Sequence, residues 1–129
     1  MIEGPWSDID FRAVIGSTAI DFDWTKEEAN RKKHGYSLLS AVHFLERWLL
    51  PIPSPLLLNT DPFEDSGEVR CKHMTLDDEK NVVFFVTTMR PDETVRVISL
   101  RRASDEERDL YIAHAKAHGY QLPVQRSGS

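Results

Sequence analysis

Three strand-like segments joined by short turns fill much of the second half of the chain, and they limit its possible folds more than any other feature. The residue pattern predicts strands at residues 69–76, 81–89 and 94–102. Strands joined by turns this short pair in antiparallel fashion, because a parallel pair needs a crossover of a dozen or more residues. Residues 81–89 are apolar on both faces, which predicts that they form the central strand.

Two helices are predicted before these strands. Residues 20–24 alternate like a short strand, and helical spacing then begins at Thr25. Thr25 and Glu28 predict a capping box, and Gly35 is expected to end this helix, which is cationic toward its C-terminal end. Apolar residues then recur at helical spacing as far as Leu49, which predicts a second helix that packs in the core.

One further helix is predicted after the strands. Ser104 and Glu107 form a second capping box, and Gly119 is expected to stop the helix that follows. Residues 56–58 predict a short edge strand and residues 59–67 a polar loop. The element order is then β, α, α, β, β, β, β, α. This order predicts an α+β fold, a small antiparallel sheet with two helices before it and one C-terminal helix.

The length and composition fit one soluble domain. At 129 residues, with 40% hydrophobic and 29% charged residues, the chain can bury a core of its own. We expect a weakly structured extension at residues 1–19, a single domain at residues 20–119 and a polar tail at residues 120–129. We see no secretion leader and no membrane span. Cys71 is the sole cysteine, so no internal disulfide forms and a reducing, cytoplasmic location is expected.

The charge pattern leaves room for nucleic-acid binding. The formal charge of −5 argues against a simple nucleic-acid binder. Basic residues are nevertheless grouped at residues 31–33, at Arg70 with Lys72 and near the end of the third strand, and local clusters govern polyanion binding more than the sum does. The chain has no Walker loop and no dinucleotide-binding glycine fingerprint, which disfavours NTP-dependent and NAD-dependent enzymes.

The basic residues on the predicted strands are candidates for phosphate chemistry. Such chemistry without a metal needs cations aimed at phosphoryl oxygens and a group that moves a proton. The candidates on neighbouring strands are Arg70, Lys72, Arg96, Arg101 and Arg102, with Lys33 and His34 beside them at the end of the first helix. In the competing interpretation the strand arginines are structural and pair with Glu68, Glu106, Glu107 or Asp109.

Alternation along the third strand predicts how its arginines are distributed. The odd residues, Val95 to Arg101, are expected on one face and the even residues, Arg96 to Arg102, on the other.

Other chemically active residue types favour structural roles. His114 and His118 lie one helical turn apart, but surface solvation is favoured over metal binding because no HExxH pattern is present. Trp24 is interpreted as a core anchor, although an aromatic ring there could also stack on a base. His73 lies on a strand with no evident partner, and Cys71 is interpreted as a small hydrophobic residue.

Three segments resemble the hallmark segments of the BrnT toxin family of bacterial type II toxin–antitoxin systems. They read FDWTKEEANRKKHGYS, DSGEVR and VRVISLRRASDEERDLY, in that order. The resemblance implies a RelE-like fold and a ribonuclease that arrests translation by cleaving RNA, with no metal, no cofactor and no membrane. It also implies a ribbon-helix-helix, BrnA-like antitoxin that binds DNA, so that the toxin contacts DNA only indirectly. A homodimer or a heterotetramer would be compatible with this pairing.

The resemblance also implies roles for particular residues. The basic residues of the family fall on Lys33, His34, Arg70, Arg101 and Arg102. We assign Arg70 and Arg101 to the pentavalent phosphate and His34 or Glu68 to proton transfer. RNA binding is assigned to Lys33, Lys72, Arg96 and Arg102. Glu107 and Arg108 are given structural roles, Glu107 as a helix cap that also holds an arginine.

Departures from the family pattern support two alternatives. Residues 1–19 precede the first strand, and the prolines at positions 51, 53 and 55 lengthen the connection after the second helix. The chain could therefore be a non-catalytic BrnT-like binding module that partners a small DNA-binding antitoxin-like protein. In the other alternative, residues 1–19 cover the basic surface as a built-in inhibitor.

Overall fold

The computed structural model describes residues 6–7, 20–48, 55–60, 63–89 and 94–120. These residues form seven strands and three helices, in the order β1 (Trp6–Ser7), β2 (Ile20–Phe22), α1 (Trp24–His34), α2 (Leu38–Trp48), β3 (Leu58–Thr60), β4 (Phe63–Asp65), β5 (Glu68–Leu76), β6 (Val82–Met89), β7 (Val95–Arg102) and α3 (Asp105–Ala117). The predicted α+β class is confirmed. Most of the predicted extension, most of the Pro-rich connection and nearly all of the predicted tail lie outside the described residues.

One sheet organises the molecule. Its strand order is β1-β3-β5-β6-β7-β2, with β4 also paired to β5. Every pair is antiparallel except β2 and β7, which run parallel. The expectation of a wholly antiparallel sheet is therefore wrong at this edge. The connection from β2 to β7 contains two helices and four strands, which gives the chain the length that a parallel pair requires.

The sheet separates two hydrophobic clusters. On one face, α2 packs against the sheet, and the members of this cluster include Leu38, Leu45, Phe85 and Val97. On the other face, α3 covers Met74, Phe84 and Leu58 with Tyr111 and Ala115. The hydroxyl of Tyr111 donates to the carbonyl of Leu56 at 2.7 Å, so this fully buried phenol is structural.

A β-bulge at Ile98 changes the faces of β7. Val86 pairs with Ser99 while Thr87 pairs with Val97, so Ile98 is the extra residue. Val97 and Leu100 consequently both point toward α2. The predicted odd and even faces are wrong after Ile98, because a bulge reverses the alternation. Arg101 therefore shares the α3 face with Arg96 instead of joining Val95 and Val97.

The start of α1 also differs from the prediction. Asp23 is the N-cap, and its Oδ1 accepts a hydrogen bond from the amide of Thr25 at 3.0 Å. The capping box at Thr25 and Glu28 is therefore wrong, and Glu28 instead pairs with Lys32 on the helix surface. Trp24 is 77% exposed, so the interpretation as a core anchor is also wrong. Its ring rests against Phe22, with centroids 4.5 Å apart.

Two other predicted helix ends are confirmed, while the predicted end of the second helix at Leu49 lies outside the described residues. Gly35 ends α1 with a φ of 77°, a conformation that costs glycine little because it has no Cβ. Ser104 and Glu107 form the predicted capping box at the start of α3. Glu27 of α1 accepts hydrogen bonds from the Leu38 amide and the Ser37 hydroxyl, which joins α1 to the start of α2.

The predicted edge strand and polar loop at residues 56–67 are shifted. Strand β3 begins only at Leu58, and β4 lies inside the segment predicted as loop. Ser66 and Gly67, with φ values of 54° and 79°, form a two-residue turn between β4 and β5. Two central residues with positive φ are typical of a type I′ hairpin turn. The turn formers therefore indicate a hairpin, not a long loop.

A buried histidine ties together three strands. His73 of β5 is fully buried, and no partner for it was evident from the sequence. Its Nδ1 lies 2.6 Å from Oδ1 of Asn59 on β3, and its Nε2 lies 2.7 Å from the hydroxyl of Thr87 on β6. Burial lowers the pKa of His73 to about 3, so the imidazole is neutral at neutral pH.

Candidate active site

A side-chain amide places the end of α1 against the edge of β7. Strand β2 pairs only with residues 95–97, so it does not cover the second half of β7. Asn30 closes this edge at Leu100, donating to its carbonyl at 2.8 Å and accepting from its amide at 3.1 Å. Because both bonds are buried, they fix α1 in position. The last turn of α1 therefore lies beside the end of β7.

This contact places the end of α1 that carries Lys33 and His34 beside the end of β7 that carries Arg101 and Arg102, and we call these four residues the α1–β7 basic cluster. His34 is partly buried. Burial lowers its pKa, and the positive charges of Lys33 and Arg101 lower it further. A neutral imidazole among cations can accept a proton while its neighbours stabilise negative charge.

Arg101 is held in one orientation by a buried carboxylate. Its two terminal nitrogens donate to the two oxygens of Glu107 at 2.7 and 2.8 Å, and its guanidinium lies 4.2 Å from the ring centre of Phe84. Within the described chain, the bonds to Glu107 and to the Arg102 carbonyl use three of the five N–H groups of Arg101. Two N–H groups are left for an anion, on a side chain that is 34% exposed.

Glu107 combines the two structural roles assigned to it. Besides holding Arg101, its Oε1 accepts from the amide of Ser104 at 2.8 Å and so completes the helix cap. Burial alone would raise the pKa of Glu107, but hydrogen bonds from Arg101 and Ser104 lower it overall. Glu107 is therefore a carboxylate at neutral pH.

Arg102 lies on the opposite face of β7 from Arg101. Burial raises the pKa of Tyr36, and the nearby Arg102 side chain opposes this rise. The Tyr36 hydroxyl donates to Oδ2 of Asp77 at 3.0 Å. Asp77 in turn accepts from the amides of Glu79 and Asn81 and so shapes the turn between β5 and β6. The Tyr36 side chain therefore links this turn to the neighbourhood of Arg102.

The remaining predicted site residues lie elsewhere on the sheet. Arg70 pairs with Asp65 at 3.0 Å and with Glu68 at 3.2 Å. Its Nε is buried and has no hydrogen-bond partner within the described part of the chain. Arg96 pairs with Asp21 through two bonds of 3.0 and 3.2 Å.

The strand register shows that the eight candidates form more than one group. Arg70 and Arg96 flank Thr88 of β6, whereas Arg101 lies opposite Phe84. Thr88 and Phe84 are separated by about 13 Å at the usual rise along a strand. Lys72 pairs with Val86, between these two positions of β6, and places its ammonium 5.3 Å from the ring centre of Phe63. The structure thus gathers the α1–β7 basic cluster and leaves Arg70, Glu68 and Arg96 apart from it.

The competing structural interpretation accounts for part of this geometry. Arg70 pairs with Glu68 and Arg101 pairs with Glu107, as that interpretation expected. Arg70 and Arg101 lie on the same face of the sheet, but each is held by its own carboxylate. Asn30 was missed by the sequence analysis, although its spacing from Glu27 and His34 places all three on one side of α1.

Histidines outside the basic cluster do not assemble a metal site. The rings of His114 and His118 stack 6.3 Å apart on α3, and His43 is exposed on α2. Among the described residues, no group of three or more His, Cys, Asp or Glu side chains could hold a metal ion. None of the described helices is long and apolar enough to span a membrane.

Comparison with known protein families assigns the chain to one of them. A family model described as "Ribonuclease toxin, BrnT, of type II toxin-antitoxin system" matches residues 22–107, well over half of the chain. The chain belongs to the BrnT family. The BrnT match includes all eight candidate residues and Glu107, while residues 1–21 precede it.

Solved structures include one BrnT toxin that is similar to this chain. The crystal structure of the Brucella abortus ribonuclease toxin BrnT, at 1.1 Å, shares 22% sequence identity with it. The match covers 69% of this chain and 100% of that chain, with a TM-score of 0.45. No curated protein sequence matches.

Proposed function

We propose that this BrnT-family chain is an endoribonuclease toxin that cleaves RNA without a metal ion and so stops translation. The observation that carries the proposal is the position of His34, which the Asn30 contact holds at the end of β7 with Lys33 and Arg101 around it. This arrangement supplies a proton acceptor and positive charge at one place. The family description supplies the class of reaction.

The proposed reaction uses the RNA itself as the nucleophile. The 2′-hydroxyl attacks the adjacent phosphorus while His34 accepts its proton. Lys33 and Arg101 stabilise the negative charge that develops on the phosphoryl oxygens, while Arg102, on the other face of β7, contacts the RNA backbone. The bond to the 5′-oxygen of the next nucleotide breaks, this oxygen takes up a proton from water, and His34 later releases its own proton to water. A 2′,3′-cyclic phosphate remains on the first product.

The candidate residues outside the α1–β7 basic cluster are proposed to lie along the surface that binds RNA. Arg70 and Glu68, to which we assigned catalytic roles from the sequence, lie about 13 Å along the sheet from the level of Arg101. Together with Lys72 and Arg96 they form a row of charged side chains on the α3 face. We assign Arg70, Lys72 and Arg96 of this row to contacts with the RNA backbone outside the scissile phosphate, and Glu68 to holding Arg70.

The proposed setting is that of a type II pair in the cytoplasm. A ribbon-helix-helix, BrnA-like antitoxin would bind the chain and carry the DNA-binding function, so that DNA contacts the toxin only indirectly. The proposal includes a RelE-like arrangement of the fold, with a homodimer or a heterotetramer with the antitoxin as its assembly. The family description, which names a type II system, supports the antitoxin.

A growth assay tests the proposed activity. Expression of the chain alone is expected to arrest growth, and His34→Ala is expected to relieve the arrest because it removes the proton acceptor. Arg101→Ala is expected to do the same. His118→Ala and Arg108→Ala are matched controls on the exposed side of α3 and should leave the arrest intact. If cells with equal amounts of the His34→Ala and wild-type proteins grow equally poorly, the catalytic role of His34 is wrong.

One observation favours the alternative of a non-catalytic binding module. Arg70, Arg96 and Arg101 each pair with a carboxylate, which offsets the charge that RNA would otherwise meet. In that case the purified chain leaves RNA intact in EDTA, and it co-purifies in a fixed ratio with the small protein encoded next to it.

A further inference from the structure

A cleft lies between Tyr36, α2 and the turn that joins β5 to β6. It has a volume of about 480 Å³, within the usual range for small-molecule sites. Its walls come from Tyr36, from His43, Phe44 and Arg47 on α2, and from Asp78 and Glu79 in the turn between β5 and β6. Nothing in the proposed reaction uses this cleft.

The cleft is continuous with the α1–β7 basic cluster. Gly35, which lines the cleft, directly follows His34 in the chain. Tyr36 adjoins both regions, because it lines the cleft and its side chain lies near that of Arg102. A nucleotide with its phosphate at the basic cluster can therefore extend its base toward the cleft.

The charges around the cleft favour a base over a phosphate. Asp78 and Glu79 both line the cleft and both are exposed to solvent, and Oδ1 of Asp78 lies 3.6 Å from the guanidinium of Arg47. Arg47, the cation in the wall, is held by the carbonyl of Leu76 and the hydroxyl of Thr75 and lies against the ring of Phe44. Carboxylates repel phosphate. They accept hydrogen bonds but cannot donate them, so they select a ligand edge that carries N–H donors.

Guanine has the matching edge. Its N1–H and N2–H₂ groups lie side by side and can donate to one carboxylate in a bidentate arrangement, whereas uracil has a single N–H donor. The ring of Tyr36 is a surface on which an unstacked base can lie. Charge is thus divided between the two regions, with cations for the phosphate and carboxylates for the base.

We propose that the cleft between Tyr36 and the turn at Asp78 and Glu79 binds a guanine base adjacent to the scissile phosphate. This inference rests on the proposed function, because it treats RNA as the substrate. It makes Asp78 and Glu79 the residues that determine sequence preference. The cleavage chemistry stays with His34 and its neighbours.

Nucleoside binding tests the cleft without depending on cleavage. Guanosine and uridine, which lack a phosphate, are titrated into the full chain and followed by the NMR shifts of the Tyr36 and His43 signals. Guanosine is expected to bind at least tenfold more tightly than uridine. The double variant Asp78→Asn with Glu79→Gln is expected to lose about tenfold in guanosine affinity. The control variant Asp105→Asn with Asp109→Asn removes the same charge from exposed sites on α3 and should bind as the wild type does.

Cleavage mapping separates the failure of this inference from the failure of the proposed function. If the chain cuts RNA next to guanine and the cleft variant still cuts but loses this preference, the inference is supported. If the wild type and the cleft variant cut RNA with the same sequence preference, the inference is overturned while the proposed function stands. If RNA is not cut but guanosine binds selectively, the proposed function fails and the cleft remains a guanine site.

A cationic probe tests whether the carboxylates of the cleft instead bind a basic side chain of a protein partner. N-acetyl-arginine amide imitates an arginine side chain of a protein partner. Guanosine is expected to bind more tightly than this probe. If the probe binds more tightly and the cleft variant abolishes its binding, the cleft is a protein contact and the guanine proposal is overturned.

Discussion

Individual residues in this chain carry more than one structural task. Glu107 caps α3 through Ser104 and orients Arg101 through two hydrogen bonds. Asn30 completes the hydrogen bonding of Leu100 and thereby determines where His34 lies. The functional geometry therefore depends on carboxylate and amide side chains that do not themselves contact RNA in the proposed reaction.

Replacement of Glu107 tests this dependence. Glu107→Gln keeps the size of the side chain but removes the charge that holds Arg101. We expect it to lower the free energy of unfolding by about 1–2 kcal/mol, because a charged hydrogen bond and part of a helix cap are weakened. The neighbouring variant Glu106→Gln changes an exposed carboxylate and should have little effect. Urea unfolding curves measure both, and equal midpoints for the two variants would contradict the assigned role of Glu107.

The ends of helices could be predicted where the residues that form them are close together in the sequence. Ser104 with Glu107 indicated the start of α3, and Gly35 indicated the end of α1, because caps depend on residues a few positions apart. The predicted start of α1 was wrong because Asp23 and Thr25 both carry a side-chain oxygen that can cap a helix, and Asp23 is the residue that does so. The pairings that hold elements together were not predictable, since the contacts of His73 with Asn59 and Thr87 join strands that are distant in sequence.

The buried histidine predicts how the packing of β3, β5 and β6 responds to acid. Its folded-state pKa, about 3, lies below the value of 6.5 expected when the chain is unfolded. The unfolded state therefore binds a proton first, and stability is lost as the pH falls below 6.5 and stops falling near the folded-state pKa. We expect His73 to contribute a loss of about 2 kcal/mol between pH 7 and pH 5.

Urea unfolding at several pH values measures this loss. His73→Gln should flatten the pH dependence, whereas His43→Gln alters an exposed histidine and should preserve it. An equally steep dependence in His73→Gln and wild-type protein would show that another group is responsible.

At the scale of the whole molecule, register decides which candidates meet. The sequence identified the basic residues, and alternation assigned them to faces. The bulge at Ile98 reversed the faces at the end of β7, and the pairing of β6 with β5 and with β7 separated Arg70 from Arg101. Neither is visible in local patterns, because both depend on how strands align across the sheet. The α1–β7 basic cluster exists because α1 closes the edge that the short strand β2 leaves open.

The pH dependence of RNA cleavage by the purified chain in EDTA tests the role of this cluster. If His34 accepts the proton, the rate rises with pH and levels off once His34 is neutral, with a midpoint below 6.5 because burial, Lys33 and Arg101 lower its pKa. Lys33→Ala should move this midpoint upward, and Lys26→Ala on the same helix is its control. His34→Ala should lower the plateau rate by about 100-fold or more. Cleavage by His34→Ala at the wild-type rate, or no cleavage by the wild type at any pH, would contradict the account.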